Sequence, residues 1–273
     1  MDAEAYRKDY LAALKSSETG LPLKAGKSAD EPAADPDIDR LMAAAADTTA
    51  TVAARLEAIK RIDAVAFDLK FFSPYDARYV RLLKQLRTDR SAEIRKMAFR
   101  GLSPSLDRET REMLHQGLGN SDKKLIPDKA AVTLLGFDDH GSSRDILRSM
   151  AETAVEPVRR AALRGLAGDT RSAGMLERVA TDPAESVKVR RTAALSLKVA
   201  SPKRFATMAK QMVADRAEDP AMRAAAMSAL AVGAEVREIA QTPRFAKQLD
   251  AVADATRSRS LKRSIKLFKA LSN

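Results

Sequence analysis

The chain has 273 residues and no cysteine, which excludes disulfide bonds, thiolate metal ligands and a cysteine nucleophile. Its formal net charge of +11 divides into −4 over residues 1–47 (6 basic, 10 acidic) and +15 over residues 48–273 (42 basic, 27 acidic). The positive charge of residues 48–273 favours an anionic partner. No run approaches ~18 apolar residues and the N-terminus lacks a basic region followed by an apolar run, so we expect no transmembrane segment, no secretory signal and a cytoplasmic location.

The first 36 residues differ in composition from the rest of the chain. Apolar residues at Tyr6, Tyr10, Leu11 and Leu14 form one stripe at helical spacing. Residues 16–36 carry three prolines and few bulky apolar side chains, and their end is acidic. We therefore predict an N-terminal helix over 1–15, a flexible acidic linker over 16–36, and a separate body over 37–273.

From residue 37 onward one short pattern recurs. A frame residue, usually arginine, is followed by a small residue at position +3 and apolar residues at +4 and +7, as at Arg159 with Ala162, Leu163 and Leu166. Apolar residues at this spacing form one buried stripe on a helix. The frame residues are Arg55, Arg95, Asp128, Arg159, Arg190, Arg223 and Leu261, and successive frames lie 40, 33, 31, 31, 33 and 38 residues apart. Such a period indicates stacked helical units.

A second apolar-periodic helix is predicted before each frame helix. Serine followed by proline, at Ser73-Pro74 and at Ser201-Pro202, is typical of an N-cap and the first helical position. Helix pairs of this length cannot bury their apolar faces alone, but stacked neighbours bury one continuous core. The predicted first helices span residues 37–47, 75–87, 107–117, 142–152, 170–181, 202–215 and 243–255.

The clearest copies of the pattern resemble HEAT repeats of the short bacterial, armadillo-type kind. They are the segment Glu156-Pro157-Val158-Arg159-Arg160-Ala161-Ala162-Leu163 and the segment that runs from Asp182-Pro183 through Val189-Arg190 to Ala193. The resemblance implies an all-α, right-handed α-α superhelix (a HEAT-like solenoid) of about seven helix pairs, with the second helices on the concave surface. It also implies that the frame arginines are structural and that each pairs with an aspartate in the preceding turn, for which Asp89, Asp122 and Asp182 are placed.

The candidate binding residues are basic and lie on the second helices, opposite the core stripe. A concave surface of one sign concentrates an anionic ligand, so these residues predict an anion-binding face. The alternative is a solvated face in which arginine and lysine serve helix propensity. The predicted residues are Lys60, Lys96, Arg100, Lys129, Arg160, Arg164, Arg191 and Lys198.

A secondary basic patch is predicted at the C-terminus. Apolar residues Leu261, Ile265 and Phe268 alternate with its cations at helical spacing, which is typical of an amphipathic helix. Such a helix either caps the array with its charges outward or meets phosphate or an anionic membrane. The patch consists of Arg257, Arg259, Lys262, Arg263 and Lys266.

Two longer spacings mark irregular places. Residues 67–79 hold five aromatic side chains, which either fill a gap between the first repeats and the rest or belong to a binding loop. The last long spacing contains an additional helix-like piece near Gly233–Ala240.

Motifs that carry chemistry are missing from the sequence. His115 and His140 are its two histidines, and it contains no H-E-x-x-H motif, no glycine-rich phosphate loop and no G-x-S-x-G elbow. We therefore predict no catalytic residues, no metal site and no cofactor. Some proteins that resemble this fold hydroxylate a modified lysine through iron-binding His-Glu pairs, and the chain has no such pair. Others excise alkylated DNA bases, using tryptophan and other aromatic residues around a catalytic aspartate, and the chain lacks tryptophan. Relatives that attach bilin pigments also exist, and no residue pattern in the chain argues for or against that role.

The sequence thus predicts a non-catalytic scaffold that binds an acidic protein segment through its basic concave face. The alternative is sequence-independent binding of nucleic acid through the same face. A less favoured alternative is an enzyme built on this scaffold, with DNA-base or pigment chemistry. The sequence does not set the oligomeric state.

Overall fold

The computed structural model describes residues 37–103, 106–138, 141–232 and 242–272, and in these ranges the chain forms helices and no strands. Short 3-10 turns at Ser121–Lys123 and Thr170–Ser172 precede two of the helices. The α-helices are α1 (Ile38–Ala46), α2 (Val52–Val65), α3 (Leu69–Leu86), α4 (Ala92–Gly101), α5 (Arg108–Gly117), α6 (Asp128–Leu135), α7 (Arg144–Thr153), α8 (Glu156–Gly165), α9 (Ala173–Thr181), α10 (Val187–Ala200), α11 (Pro202–Ala214), α12 (Pro220–Ala231), α13 (Pro243–Ala255) and α14 (Arg259–Ser272).

These helices form seven consecutive pairs, and each even-numbered helix contains a frame residue within its first four residues. The predicted all-α solenoid of about seven helix pairs is therefore confirmed. Each helix packs against its partner, and each second helix packs against the second helix of the next pair. The predicted N-terminal helix, the linker over 16–36 and the additional piece near Gly233–Ala240 lie outside the described residues, as does His140.

Local side chains fix several of the helix starts. The hydroxyls of Thr51, Ser91 and Ser186 each accept a hydrogen bond from the backbone N–H three residues later, at 3.3 Å, at the starts of α2, α4 and α10. Proline occupies the first turn of α11, α12 and α13. These caps satisfy backbone donors that a helix end otherwise leaves unpaired.

One predicted helix start is wrong. Helix α3 begins at Leu69 instead of after Ser73, and Asp68 is its N-cap, accepting from the N–H of Phe71 at 3.1 Å. Pro74 consequently lies inside the helix. The earlier start places Phe72 in the core, with 3% of its surface exposed, and this burial outweighs the helix-terminating tendency of the proline.

The predicted core stripe is confirmed in every clear repeat. In α8 and its C-cap, the residues at +3, +4 and +7 are Ala162, Leu163 and Leu166, all fully buried. The buried apolar residues of the described part form two clusters: one in the first two repeats, and one that runs from Phe99 on α4 through the remaining repeats. The stripe therefore joins neighbouring units, as a stacked array requires.

The aromatic side chains of residues 67–79 mostly fill the core of the first two repeats. Phe72 and Tyr79 are buried and meet edge to face, with ring centroids 5.7 Å apart. The ring centroid of Tyr75 lies 6.2 Å from that of Phe72. The hydroxyl of Tyr79 donates a 2.6 Å hydrogen bond to Asp63. Phe67 differs, because more than half of its surface is exposed.

Helix α14 packs against α12 and α13 at the end of the array. Leu261, Ile265 and Phe268 are buried, and Phe268 meets Phe245 edge to face at 6.2 Å. The amphipathic C-terminal helix thus turns its apolar side inward, as predicted for a cap.

Candidate functional site

The frame arginines lie at the start of the second helices, and Arg190 shows their surroundings most clearly. Its side chain is buried, with 5% of its surface exposed, and its Nε donates a 3.0 Å hydrogen bond to the carbonyl of Ala180 in the preceding helix. Its Nη1 donates to Glu218 at 2.9 Å. Glu218 lies just before α12, so Arg190 links the two helices of its own repeat to the next repeat.

The same pair of contacts recurs elsewhere in the stack. Arg55 donates to the carbonyl of Ala45 and to Asp89, at 3.0 Å and 2.6 Å, and Arg159 donates to Ala151 and to Glu185, at 2.9 Å and 2.5 Å. These contacts agree with the structural role predicted for the arginines. We call this set of paired arginines the frame edge; it consists of Arg55, Arg159 and Arg190.

The predicted pairing of each frame arginine with an aspartate of the preceding turn is wrong. Asp89 holds Arg55 of the previous repeat, and Asp122 and Asp182 accept hydrogen bonds within their own turns. Glu185 and Glu218 hold Arg159 and Arg190 from the following repeat, in the same way that Asp89 holds Arg55. The remaining frame arginines, Arg95 and Arg223, donate to backbone carbonyls.

The second helices between α2 and α14 leave few side chains exposed, because each contacts its own first helix and the neighbouring second helices. The second helices also pack against one another more extensively than the first helices do. On α10 a row of exposed side chains consists of Lys188, Arg191, Leu195 and Val199. Its middle members, Arg191 and Leu195, occupy the first and fifth positions after the frame residue Arg190. We call the surface formed by these two positions in all seven repeats the second-helix face.

The second-helix face is basic in every repeat except the sixth, where it carries Ser228 and the buried Ala224. Nine of its fourteen positions carry lysine or arginine and none carries aspartate or glutamate. Seven of the eight predicted binding residues belong to it. Its residues, in repeat order, are Leu56 and Lys60, Lys96 and Arg100, Lys129 and Thr133, Arg160 and Arg164, Arg191 and Leu195, Ala224 and Ser228, and Lys262 and Lys266.

Most of the predicted cations on this face are exposed and not neutralised. Arg100 and Arg160 are half-buried and the other five are exposed. Within the described ranges, no carboxylate oxygen lies within 4.0 Å of the cationic nitrogens of the following residues. They are Lys60, Lys96, Lys129, Arg160, Arg164 and Arg191.

The two remaining predicted residues have protein partners. Lys198 lies outside the face, at the eighth position, and its Nζ donates to the carbonyl of Ala229 on α12 at 2.6 Å. Arg100 lies near Asp63. Burial raises the pKa of Asp63, while the hydrogen bond from Tyr79 and the charge of Arg100 act in the opposite direction. Asp63 therefore reduces the positive field at the first two repeats.

The C-terminal basic patch overlaps the second-helix face. Lys262 and Lys266 occupy the first and fifth positions of the last repeat, so they add two cations to this face at the end of the array. Arg257 precedes α14, Arg259 and Arg263 lie at other positions of the helix, and all three are exposed. The repeat frame, carried into α14, shows that the second-helix face includes these two lysines, Lys262 and Lys266, which the basic composition of the C-terminal segment alone does not show.

A buried polar cluster joins the first helices of the third and fourth repeats. The Nε2 of His115 lies 3.2 Å from Oγ of Ser143, and that hydroxyl donates a 3.0 Å hydrogen bond to Asp138. Ser143 is almost fully buried and His115 is half-buried, and their contact links α5 to the start of α7. Burial lowers the pKa of His115. In the part of the chain that the structure describes, no group of three His, Asp or Glu residues is placed to hold a metal ion.

Comparisons with known proteins give structural neighbours at low identity. No protein-family model and no curated protein matches the chain. Among solved structures, the complex of CpcE and CpcF of phycocyanin lyase from Nostoc sp. PCC7120 has 16% identity and a TM-score of 0.49, covering 92% of this chain and 100% of that one. Human deoxyhypusine hydroxylase in complex with glycerol has 15% identity and a TM-score of 0.36, covering 86% and 95%. A designed armadillo repeat protein has 12% identity and a TM-score of 0.34, covering 87% and 100%.

At these identities and TM-scores the similarity says nothing about activity, cofactor or partner. The seven stacked helix pairs agree with the HEAT-like, armadillo-type architecture implied by the sequence resemblance. None of the described helices is long and apolar enough to cross a membrane.

Proposed function

We propose that this protein is a non-catalytic scaffold whose second-helix face binds an acidic segment of a partner protein. One observation carries the proposal: nine of the fourteen positions on the face are basic, none is acidic, and six of these cations have no carboxylate within ion-pair distance in the described ranges. Cations of one sign along a shared surface raise the local concentration of an anionic ligand and speed its association.

The character of α10 favours a protein segment as the anionic partner. Leu195 and Val199 are 45% and 65% exposed, and they continue the row that begins with Arg191. Apolar side chains next to cations suit a segment that carries both acidic and apolar residues. A nucleic-acid strand gains affinity from base stacking on aromatic side chains, and no aromatic residue occupies any of the fourteen positions.

A charge-reversal experiment tests the proposal. The triple variant Arg160→Glu, Arg164→Glu, Arg191→Glu should bind a fluorescent poly-glutamate peptide at least about tenfold more weakly than the unaltered protein in an anisotropy titration, a loss of ~1.4 kcal/mol. Its helicity should stay the same and its melting temperature should fall by only a few degrees, because Arg164 and Arg191 are exposed and Arg160 loses one hydrogen bond, to Thr192. Equal affinity of the variant and the unaltered protein would contradict the proposal.

The matched control is the triple variant Arg171→Glu, Lys203→Glu, Arg216→Glu, which makes the same change in net charge at exposed positions away from the second-helix face. It should retain most of the affinity, whereas equal losses in both triple variants would show that net charge alone drives binding. A generic DNA duplex that displaces poly-glutamate, with an affinity that falls linearly in log salt concentration, would favour nucleic acid as the partner.

A further inference from the structure

Two arginines stand together at the centre of the second-helix face. Arg160 and Arg164 lie one helical turn apart on α8, the second helix of the fourth of seven repeats. Residues at this spacing are neighbours on a helix surface, with Cβ atoms about 5–6 Å apart. In the described ranges neither guanidinium has a carboxylate within 4.0 Å. The pair therefore concentrates two positive charges without a counter-charge.

The orientation of Arg160 is set by the next repeat. Its Nε donates a 3.3 Å hydrogen bond to Oγ1 of Thr192 on α10. The threonine hydroxyl can accept this bond because its own proton goes to the carbonyl of Lys188, at 2.8 Å. Since Nε is used in this contact, the two terminal nitrogens of Arg160 are left to bind a ligand. No protein acceptor engages them in the described part of the chain.

The position of α8 is fixed on its other side by a direct backbone contact. A Cβ placed on Gly165 would lie 2.9 Å from the Cα of Gly136, and the reverse distance is 2.8 Å. No side chain fits between the ends of α6 and α8, so these second helices approach as closely as backbones allow. Arg164 directly precedes Gly165 and lies beside this contact.

The two positively charged guanidinium groups repel each other, and a bound anion would offset this repulsion. Like charges at this spacing destabilise a helix by about 0.2–0.5 kcal/mol. Burial and the neighbouring charge of Arg160 both lower the pKa of Arg164. A carboxylate would bring one negative charge and two oxygens. A phosphate monoester brings nearly two charges and three strong acceptor oxygens, which two guanidinium groups can share.

We propose that Arg160 and Arg164 bind the phosphate group of a phosphorylated serine, threonine or tyrosine side chain in the partner's acidic segment. The inference rests on the proposed function of the second-helix face and makes it more specific. Lys129 and Arg191 occupy the same row on the neighbouring second helices and would contact acidic residues on either side of the phosphate.

Three synthetic peptides test the inference by isothermal titration calorimetry. They share one glutamate-rich sequence and differ at a central position, which carries phosphoserine, glutamate or serine. The phosphoserine peptide should bind at least about tenfold more tightly than the glutamate peptide, a difference of ~1.4 kcal/mol. The variant Arg160→Lys, Arg164→Lys keeps the charge but loses the planar fork, so this preference should fall to less than about threefold. The variant Arg171→Lys is the control and should keep the preference.

The outcomes separate this inference from the proposed function. Tight and equal binding of the phosphoserine and glutamate peptides would overturn the phosphate site and leave the acidic-partner scaffold supported. Binding of none of the peptides would overturn both. A tenfold preference that survives in the double lysine variant would assign phosphate recognition to other residues and overturn the role of this pair. Unchanged circular dichroism and melting temperature confirm that each variant is folded.

Discussion

Adjacent arginines at the start of the second helices have opposite surroundings, and this contrast separates the frame edge from the second-helix face. Arg190 is buried and holds Glu218, whereas Arg191 is exposed and has no carboxylate within 4.0 Å in the described ranges. Arg159 and Arg160 repeat the contrast one unit earlier, although both are partly exposed. One residue along a helix is a turn of about 100°, enough to move a side chain from a repeat junction to an open surface.

The contrast shows that residue type alone does not assign a role in this protein. A buried arginine whose carboxylate partner lies in the next repeat acts on the register of the stack, because removal of either partner leaves a charge without compensation. An exposed arginine adds little to stability, since solvent and salt screen its charge. Three predictions would break or sharpen this comparison.

The largest expected effect is on stability. Replacement Arg190→Ala should lower the free energy of unfolding by about 3–5 kcal/mol, because it leaves Glu218 charged and the carbonyl of Ala180 without its donor. Replacement Arg191→Ala should change it by less than about 0.5 kcal/mol. Urea unfolding followed by circular dichroism measures both.

Similar losses in the two variants would remove the distinction between the frame edge and the second-helix face. The double variant Arg190→Met, Glu218→Gln removes both charges, so it should recover part of the stability lost in Arg190→Ala. A double variant at least as unstable as the single one would show that the ion pair is not the reason for the loss.

A smaller effect is expected from salt. Charges separated by more than the Debye length, about 10 Å at 0.1 M salt, are largely screened when they are exposed. The affinity for poly-glutamate should therefore fall by about tenfold or more between low and high sodium chloride concentration. The melting temperature should change little, because the ion pair of Arg55 with Asp89 is almost fully buried.

Anisotropy titrations and thermal melts in the same buffers compare the two responses directly. Sodium sulfate at equal ionic strength is a useful control, because a divalent anion should compete with poly-glutamate more strongly than chloride does. An affinity that is insensitive to salt would argue against charge as the basis of binding.

The smallest expected effect is a dependence of stability on pH at the frame edge. Burial alone would raise the pKa of Asp89, but hydrogen bonds from Arg55 and the N–H of Ser91 hold it below its usual value. A carboxyl whose pKa is lower in the folded state stabilises the fold at pH values above its unfolded pKa of about 3.9. That contribution is lost as the pH falls through the folded pKa.

Asp89→Asn should therefore melt a few degrees below the unaltered protein at neutral pH, and this gap should narrow at pH values below about 4. Asp107 contributes in the same direction, since hydrogen bonds from Lys84 and Thr110 overcome the effect of burial and lower its pKa to about 2. The control Asp254→Asn, at an exposed position on α13, should show no such gap. A difference in melting temperature that does not change with pH would show that packing, and not the charge of Asp89, accounts for the stability of its contact with Arg55.

The repeat frame predicted much of the fold. The +3, +4 and +7 stripe is buried wherever the pattern is clear, and the predicted first helices agree with the observed ones at most boundaries. Both depend on the periodicity of one helix, which is a local property of the sequence. The start of α3 was missed because the proline signal at Pro74 is also local, whereas the burial of Phe72 depends on the neighbouring helices.

The candidate site was predicted less completely. The row of cations follows from helical spacing, so most of its members could be named from the sequence. The partners of Arg159 and Arg190 could not, because Glu185 and Glu218 approach from the next repeat at a distance that the stacking sets. The contact of Arg160 with Thr192 has the same origin.

The sequence by itself determined that this protein is a stack of helix pairs and that its second helices carry an excess of positive charge. The tertiary structure alone decided which cations are neutralised and which face solvent. Secondary structure and helix faces follow from interactions within a few residues along the chain. Neutralisation of a charge requires an oxygen within a few ångströms, and in this protein the carboxylates that pair with the frame arginines come from a neighbouring repeat.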